Sequence, residues 1–243
     1  MLIFILLIAH FISDFTFQTA DLAEKKIKSF RYLVIHTLIY AGIFSIAIFP
    51  FVRFRRAIFF YLTIVLSHFF VDWIRKTVEN RNFNNKTVRF VSFIMDQALH
   101  ISNLVFCYFL FDLNTAVNIV YSNIQNWPYF NKLIVCTLIF VIIWDPAAVF
   151  IKKLFAYIFD ADIYANEAND QQIGRVIGKL ERLIISVLVL CNQFGAVGFV
   201  LAAKSIARYK QLEDKNFAEK YLVGTLTSAS IAFITTIILG RLI

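Results

Sequence analysis

Glycine, proline, cysteine and charge are all scarce in this chain, and each shortage excludes something. Among 243 residues there are seven Gly, three Pro and three Cys, and only 16% are charged. So few turn-formers, with no ten-residue alternation of apolar and polar side chains, argue against a membrane barrel and for helices that satisfy their own backbone hydrogen bonds. Cys107, Cys136 and Cys191 are scattered through apolar runs, so neither a disulfide framework nor a zinc knuckle is indicated. What is abundant is apolar surface: 60% of the residues are hydrophobic and 28 are Phe, far outside the range of a soluble domain. The expected class is an all-α polytopic membrane protein. The net charge of +8 comes from Lys and Arg clustered between apolar runs, which fits anionic lipid and cytoplasmic loops and does not call for nucleic acid. The first apolar run has no basic start and is interrupted by Asp14, so it reads as a retained helix and not as a cleaved signal.

Membrane-length runs fall at about 1–19, 30–50, 57–75, 90–111, 132–155, 174–207 and 219–242. The run 174–207 contains "CNQFGAVG", whose amides and glycines suit a turn. If the chain reverses near Gln193, Glu181 and Lys204 sit at nearly equal separations on either side and meet as a structural ion pair. That hairpin brings the expected total to about eight transmembrane helices. The division anticipated is a bundle over 1–111, an external connection over 112–131 and a C-terminal helical region over 132–243. The polar stretches 112–131 and 156–172 read as surface connections with room for short interfacial helices, and the second as a solvated loop.

Loop charge orients the chain. Lys25, Lys26, Lys28 and Arg31 in one loop, and Arg75, Lys76, Arg81, Lys86 and Arg89 in another, read as cytoplasmic, while 112–131 has no Lys or Arg. The N-terminus is then external, in a multi-pass protein of the bacterial inner membrane. Arg53, Arg55 and Arg56 disagree, since they fall on the external side.

Against this apolar background the titratable residues form a pattern. His10 and Asp14, His68 and Asp72, and Asp96 and His100 are each four apart, and His36 stands alone on the second helix. An i, i+4 pair shares one helical face, which suits two ligands of one metal or a ligand and its orienting partner. Counted from the cytoplasmic ends, all seven lie roughly 6–17 Å deep. "AHFISDFTFQ" and "SHFFVDWIRK" repeat one design, small-His-Phe-x-x-Asp-aromatic, so the first half reads as two similar helical hairpins forming a four-helix bundle with an inward His/Asp site. The plain alternative is that each His is a core residue bonded to a carbonyl. Burying three ionised aspartates without compensation costs at least a few kcal/mol apiece, which favours a cation.

Imidazole with carboxylate suits a divalent metal, zinc ahead of manganese or iron, as one ion or two. Asp14, Asp72 and Asp96 are the candidate catalytic carboxylates, any one not on the metal serving as a base. Gln18, Arg75 and Lys76 at the cytoplasmic mouth are candidates to hold an anionic headgroup, although Arg75 and Lys76 read equally well as snorkelling anchors. Three functions follow: a metal-dependent hydrolase of a lipid-linked phosphoester, an ion or proton transporter using the same groups, and a structural subunit. The transporter reading draws on Asp145-Pro146 in the fifth helix, whose alternative is a bond from Asp145 to Arg175 or Arg182. The subunit reading, with a membrane-protein partner or a second copy, draws on Gly174 and Gly178, spaced four apart as in close helix packing.

The motif His10, Asp14, Phe15 and Gln18, followed by His36, His68 and Asp72, resembles the domain of unknown function 3307 family of bacterial membrane proteins, over roughly residues 1–110. "GRVIGKLER" and "GFVLAAKSIARY" resemble the C-terminal part of longer members. The His-x-x-x-Asp layout is also similar to putative inner-membrane metal-dependent hydrolases, which implies hydrolysis at the metal. Asp96 and His100 occur in the opposite order, as a helix running antiparallel to the third would have them.

Overall fold

The computed structural model describes residues 1–82, 85–159 and 169–242, and every regular element in them is helical. The chain divides into two compact units, Met1–Ile134 and Val135–Ile243.

In the N-terminal unit, α1 (Leu2–Phe11) runs into a single π-turn at Ile12–Thr16, and an 82° bend then leads to the short α2 (Ala20–Lys28). The Thr19 hydroxyl starts α2 by accepting from the Leu22 amide at 3.2 Å, and Asn85 starts α5 in the same way through Val88. The long helices α3 (Phe30–Ile48), α4 (Phe54–Arg81) and α5 (Lys86–Leu110) follow, then α6 (Ile119–Gln125). Helix α1 packs on α3 and α5, α3 on α4, and α4 on α5, closing a ring of four, while α2 lies on α3 and α4.

Along all four helices of the ring the inward side chains change character at one level. Toward the first residues of α1 they are Leu2, Leu6, Phe44, Ile48, Phe60, Ile64 and Leu104, all buried and apolar. Toward α2 they are histidines and aspartates. The outward faces carry exposed Leu38, Ile46, Phe59, Leu62, Leu66 and Phe106, which suits hydrocarbon.

The apolar end is tied by backbone as well as packing. Arg53 N donates to the Ala116 carbonyl at 2.8 Å and Asn118 N to the Phe51 carbonyl at 2.9 Å, around a bridge between Val52 and Val117. Arg56 donates to the Asp112 carbonyl at 3.0 Å and the Thr115 hydroxyl at 2.9 Å, pinning a turn that Asp112 enters at φ 45°. The Thr115 hydroxyl and the Arg56 guanidinium hold the Asp112 carboxyl below its usual range. Arg56, one of the arginines that disagreed with the loop charges, thus has a local structural task.

In the C-terminal unit, the length of α7 (Phe130–Phe159) from Val135 onward is followed by α8 (Asn169–Leu190), α9 (Phe194–Ala207) and α10 (Lys215–Gly240). Helices α8 and α9 form a hairpin through Asn192, at φ 57°, and Lys204 Nζ meets Glu181 Oε2 at 2.6 Å across it. The expected solvated stretch 156–172 is helical at 156–159 and 169–172, and its middle, 160–168, lies outside the described residues.

Among the described residues, five helices are long and apolar enough to cross a membrane, or six if α1 and α2 count as one bent span, so a multi-pass membrane protein stands but the expected eight does not. The reason is local. Helix α9 has 14 residues, and α8 carries Arg175, Lys179, Glu181 and Arg182 from its second turn past its middle, so the hairpin exists without either arm qualifying. The loop expected at 75–89 is also shorter, because α4 continues to Arg81 and α5 begins at Lys86. Gly174 and Gly178 do not mark a close helix contact: a Cβ on Gly174 would meet nothing within 4 Å, and one on Gly178 only its own helix's Arg182. The close approach is at Gly224, where a Cβ would fall 2.9 Å from the Phe155 ring.

Candidate metal centre

Each helix of the N-terminal ring contributes one or two side chains to the polar layer. His10 comes from the end of α1, Asp14 from the π-turn, His36 from α3, His68 and Asp72 from α4, and Asp96 and His100 from α5. All seven are buried, none more than 8% exposed. The π-turn belongs to this arrangement, since it widens the helix where Asp14 must reach across the ring, and such turns are common at functional sites.

The closest approach is between His36 Nε2 and His68 Nε2, 3.1 Å apart. Asp72 Oδ2 lies 3.3 Å from the first and 3.4 Å from the second, and Asp14 Oδ1 lies 3.6 and 3.5 Å from them. These are two triangles sharing the His36–His68 edge. Ligand atoms held about 2.0–2.2 Å from one ion at octahedral to tetrahedral angles are separated by about 2.9–3.5 Å, so either triangle has nearly the dimensions of one face of a coordination shell. Of these four atoms, Asp72 Oδ2 is buried without a protein hydrogen-bond partner, while the two Nε2 atoms lie within hydrogen-bond distance of each other; His36 Nδ1 and His68 Nδ1, on the other side of each ring, are also buried without one. A second set lies beside the first. His100 Nε2 is 3.3 Å from Asp96 Oδ1, yet neither makes a hydrogen bond, and both nitrogens of His10 are without one, the nearer being 3.9 Å from Asp14 Oδ2. Each such orphan costs about 1–3 kcal/mol if nothing binds it. The buried groups His10–Asp14–His68, His36–His68–Asp72 and Asp72–Asp96–His100 could each hold a metal ion.

Neighbours fix the rings and carboxylates. His68 is sandwiched between Tyr40, stacked at 3.7 Å, and His100, at 4.1 Å. Asp72 Oδ1 accepts from Lys26 Nζ at 2.8 Å, and Asp96 Oδ2 from Arg75 at 2.9 Å and Gln97 at 3.1 Å. Arg75 also donates to Glu79, a buried acid that Ser92 bonds at 2.7 Å. Among the described residues, Asp14 has no Lys or Arg at hydrogen-bond distance; its other contacts are Ser13 and Gln97 at 3.5 Å.

The three residues expected to hold a headgroup are not brought together. Gln18 accepts from Lys26 at 3.2 Å, Arg75 is engaged by Asp96 and Glu79, and Lys76 lies over the Phe30 ring. Four residues around the centre were not singled out from sequence: Lys26, Tyr40, Glu79 and Gln97. Signals existed for two. Glu79 extends the stripe His68, Asp72, Arg75 along one face of α4, and Lys26 falls on the inward face of α2 beside Ile27.

Residues 2–130 match the model of the family described as protein of unknown function, DUF3307. The chain belongs to this family. The DUF3307 match covers nearly the whole N-terminal unit, past residue 110 and through α6, so all seven His and Asp residues lie within it. No curated protein and no solved structure matches the chain, and the likeness to metal-dependent hydrolases therefore has no named relative behind it.

Proposed function

We propose that this DUF3307 protein is a membrane-embedded metal-dependent hydrolase, with a divalent cation seated on the His36–His68 edge and Asp14 and Asp72 as its carboxylate ligands. The observation that carries the reading is the pair of triangles with edges of 3.1–3.6 Å around that edge. Zinc suits two imidazoles and two carboxylates, and manganese or iron would fit the same donors. Held by His36, His68, Asp14 and Asp72, a divalent ion would offset the charge of Asp14 and would lower the pKa of a bound water toward neutral pH. Asp96 and His100, off the shared edge, form a carboxylate–imidazole pair suited to moving a proton. They are also the natural holders of a second ion, together with His10.

Access favours hydrolysis over transport. The apolar fill of Leu2, Leu6, Phe44, Phe60, Ile64 and Leu104 closes the ring on one side of the polar layer, so a substrate would have to approach from the side that α2 covers. That side carries the basic residues Lys25, Lys28, Lys76, Arg81 and Lys86, so the reading sets it at the cytoplasmic face of a bacterial inner membrane, with the N-terminus external and a lipid-linked phosphoester as substrate. Asp145, the best feature for transport, is bonded by Lys179 at 2.5 Å. The test is metal analysis of the full-length protein purified in detergent. Near-stoichiometric transition metal, lost in His36→Ala and in His68→Ala while the variants stay folded, supports the reading. A folded wild-type protein that takes up no divalent metal ends it.

A further inference from the structure

Lys26 is the one lysine that the N-terminal unit buries among its described residues, at 5% exposure, and it arrives from outside the ring. Helix α2 turns back after the 82° bend and presents Lys26 and Ile27 inward, while its outer face carries the pairs Asp21–Lys25 and Glu24–Lys28. A tether alone would not need an ammonium there. Ile27 is already buried, and Asn80 Nδ2 donates to the Ile27 carbonyl at 2.8 Å, so α2 is held by an apolar anchor and a backbone bond. Burying a lysine charge carries a desolvation penalty of several kcal/mol, and apolar replacements of buried ion pairs are often neutral or stabilising. What the ammonium touches is more informative. It donates to Asp72 Oδ1 at 2.8 Å, and the other oxygen of that carboxylate, Oδ2, is the one facing His36 and His68 at 3.3 and 3.4 Å.

We propose that Lys26 is a positioning residue for the metal centre: by holding Asp72 Oδ1 it keeps Asp72 a one-oxygen ligand and so preserves a coordination position for water or substrate. This rests on the metal reading above and answers a difficulty in it. His36, His68, Asp14 and Asp72 already supply four donors, a filled tetrahedral shell, so water or substrate needs a fifth position, of the kind zinc reaches when it expands to five-coordinate. A free Asp72 would close on the ion through both oxygens. With Oδ1 committed to an ammonium, it offers one, and the hydrogen bond draws electron density away from the ligating oxygen, leaving the ion more acidic. Gln18, accepting from the same Nζ at 3.2 Å, aims the lysine from the end of the π-turn segment.

The proposal predicts a sign that a tether does not. Lys26→Met removes a positive charge beside the ion and frees the second oxygen, so the metal should bind more tightly, by at least about tenfold. The experiment uses the full-length protein in detergent, loaded with Co²⁺ and followed by visible absorption. In Lys26→Met the d–d bands should weaken as the coordination number rises, with a lower Kd. Lys26→Arg, which keeps a charged donor on Oδ1, should retain the wild-type spectrum, and Lys26→Leu, a second variant without a donor, should resemble Met. Unchanged bands and Kd in Met and Leu, or looser binding in both, overturn the role of Lys26 while leaving the centre standing. A wild-type protein that gives no Co²⁺ bands at all overturns the metal reading itself.

Discussion

Both units bury polar side chains among apolar helices, and they do so in opposite manners. In the C-terminal unit the donors and acceptors meet one another. Arg182 donates to the Ile143 carbonyl at 2.5 Å, to the Trp144 carbonyl at 3.3 Å and to Ser228 at 3.0 Å, taking up carbonyls just ahead of Pro146. Thr236 bonds Ser186 at 2.9 Å, and Asp145 and Glu181 each have a lysine. In the N-terminal unit the imidazoles and carboxylates crowd together yet leave atoms unpaired. Among the described residues, every buried side-chain atom without a protein hydrogen-bond partner belongs to this unit. A satisfied network holds helices together. A crowded, unsatisfied one of mixed imidazole and carboxylate has the composition of a binding site, and the hydrogen-bond geometry sharpens a distinction that the spacing of the His and Asp residues already draws in the sequence.

The widest separation between the two regions should come from paired substitutions of the same chemistry. Asp72→Asn removes a charge from the shared edge and should weaken divalent metal binding at least about a hundredfold, beyond the loss typical of an outer partner. Asp145→Asn, which touches Lys179 and lies in the other unit, should leave metal affinity as it is. Titration of the two detergent-purified variants with Zn²⁺ by calorimetry checks this, and equal losses in both would erase the comparison.

How much of this was readable beforehand depended on whether a charge sat in the middle or at the end of an apolar run. The three His/Asp pairs stood out because nothing else polar surrounds them, and their convergence follows from helices of similar depth. Glu181 and Lys204 stood out for the same reason, at nearly equal separations from a turn. Lys26 and Glu79 did not, and Arg75 was read as a headgroup holder or an anchor, because charges near run ends are read as loop, whereas α4 carries its inward stripe on to Glu79 and α2 folds back over the ring. Asp145 was expected to find a basic partner in α8, and it does, but Lys179 had not been named. Helix α8 explains the miscount of spans: up to and just past its middle it carries Lys179, Glu181 and Arg182, whose partners are Asp145, Lys204 and the carbonyls of α7, and an amphipathic stretch serving such contacts resembles neither a loop nor a span. Gly224 was missed since a lone glycine has no spacing to announce it.

A smaller effect should separate the units by stability instead of metal. Arg182→Met leaves the Ser228 hydroxyl and the carbonyls of Ile143 and Trp144 without their donor, and should destabilise the fold by about 2–3 kcal/mol. Thermal unfolding in detergent measures it, with Co²⁺ content expected to remain at the wild-type value. A drop in metal content at unchanged stability would mean that the Arg182 network serves the centre and not its own unit.

The smallest effect concerns the α8–α9 hairpin. Glu181 and Lys204 are 13% and 19% exposed at 2.6 Å, so their attraction is partly screened, and holding two long side chains in one geometry has an entropic cost. The pair also has company, since Lys204 Nζ sits 5.3 Å from the Tyr221 ring and Tyr221 bonds Ser205 at 3.3 Å, so the ammonium keeps a favourable contact when the carboxylate is removed. A double-mutant cycle with Glu181→Gln and Lys204→Met should therefore give a coupling of only about 1 kcal/mol, with Lys204→Met the costlier single change. A coupling several times larger would mean that water is shut out of the hairpin, and would put its two arms deeper in hydrocarbon than their length and polarity imply.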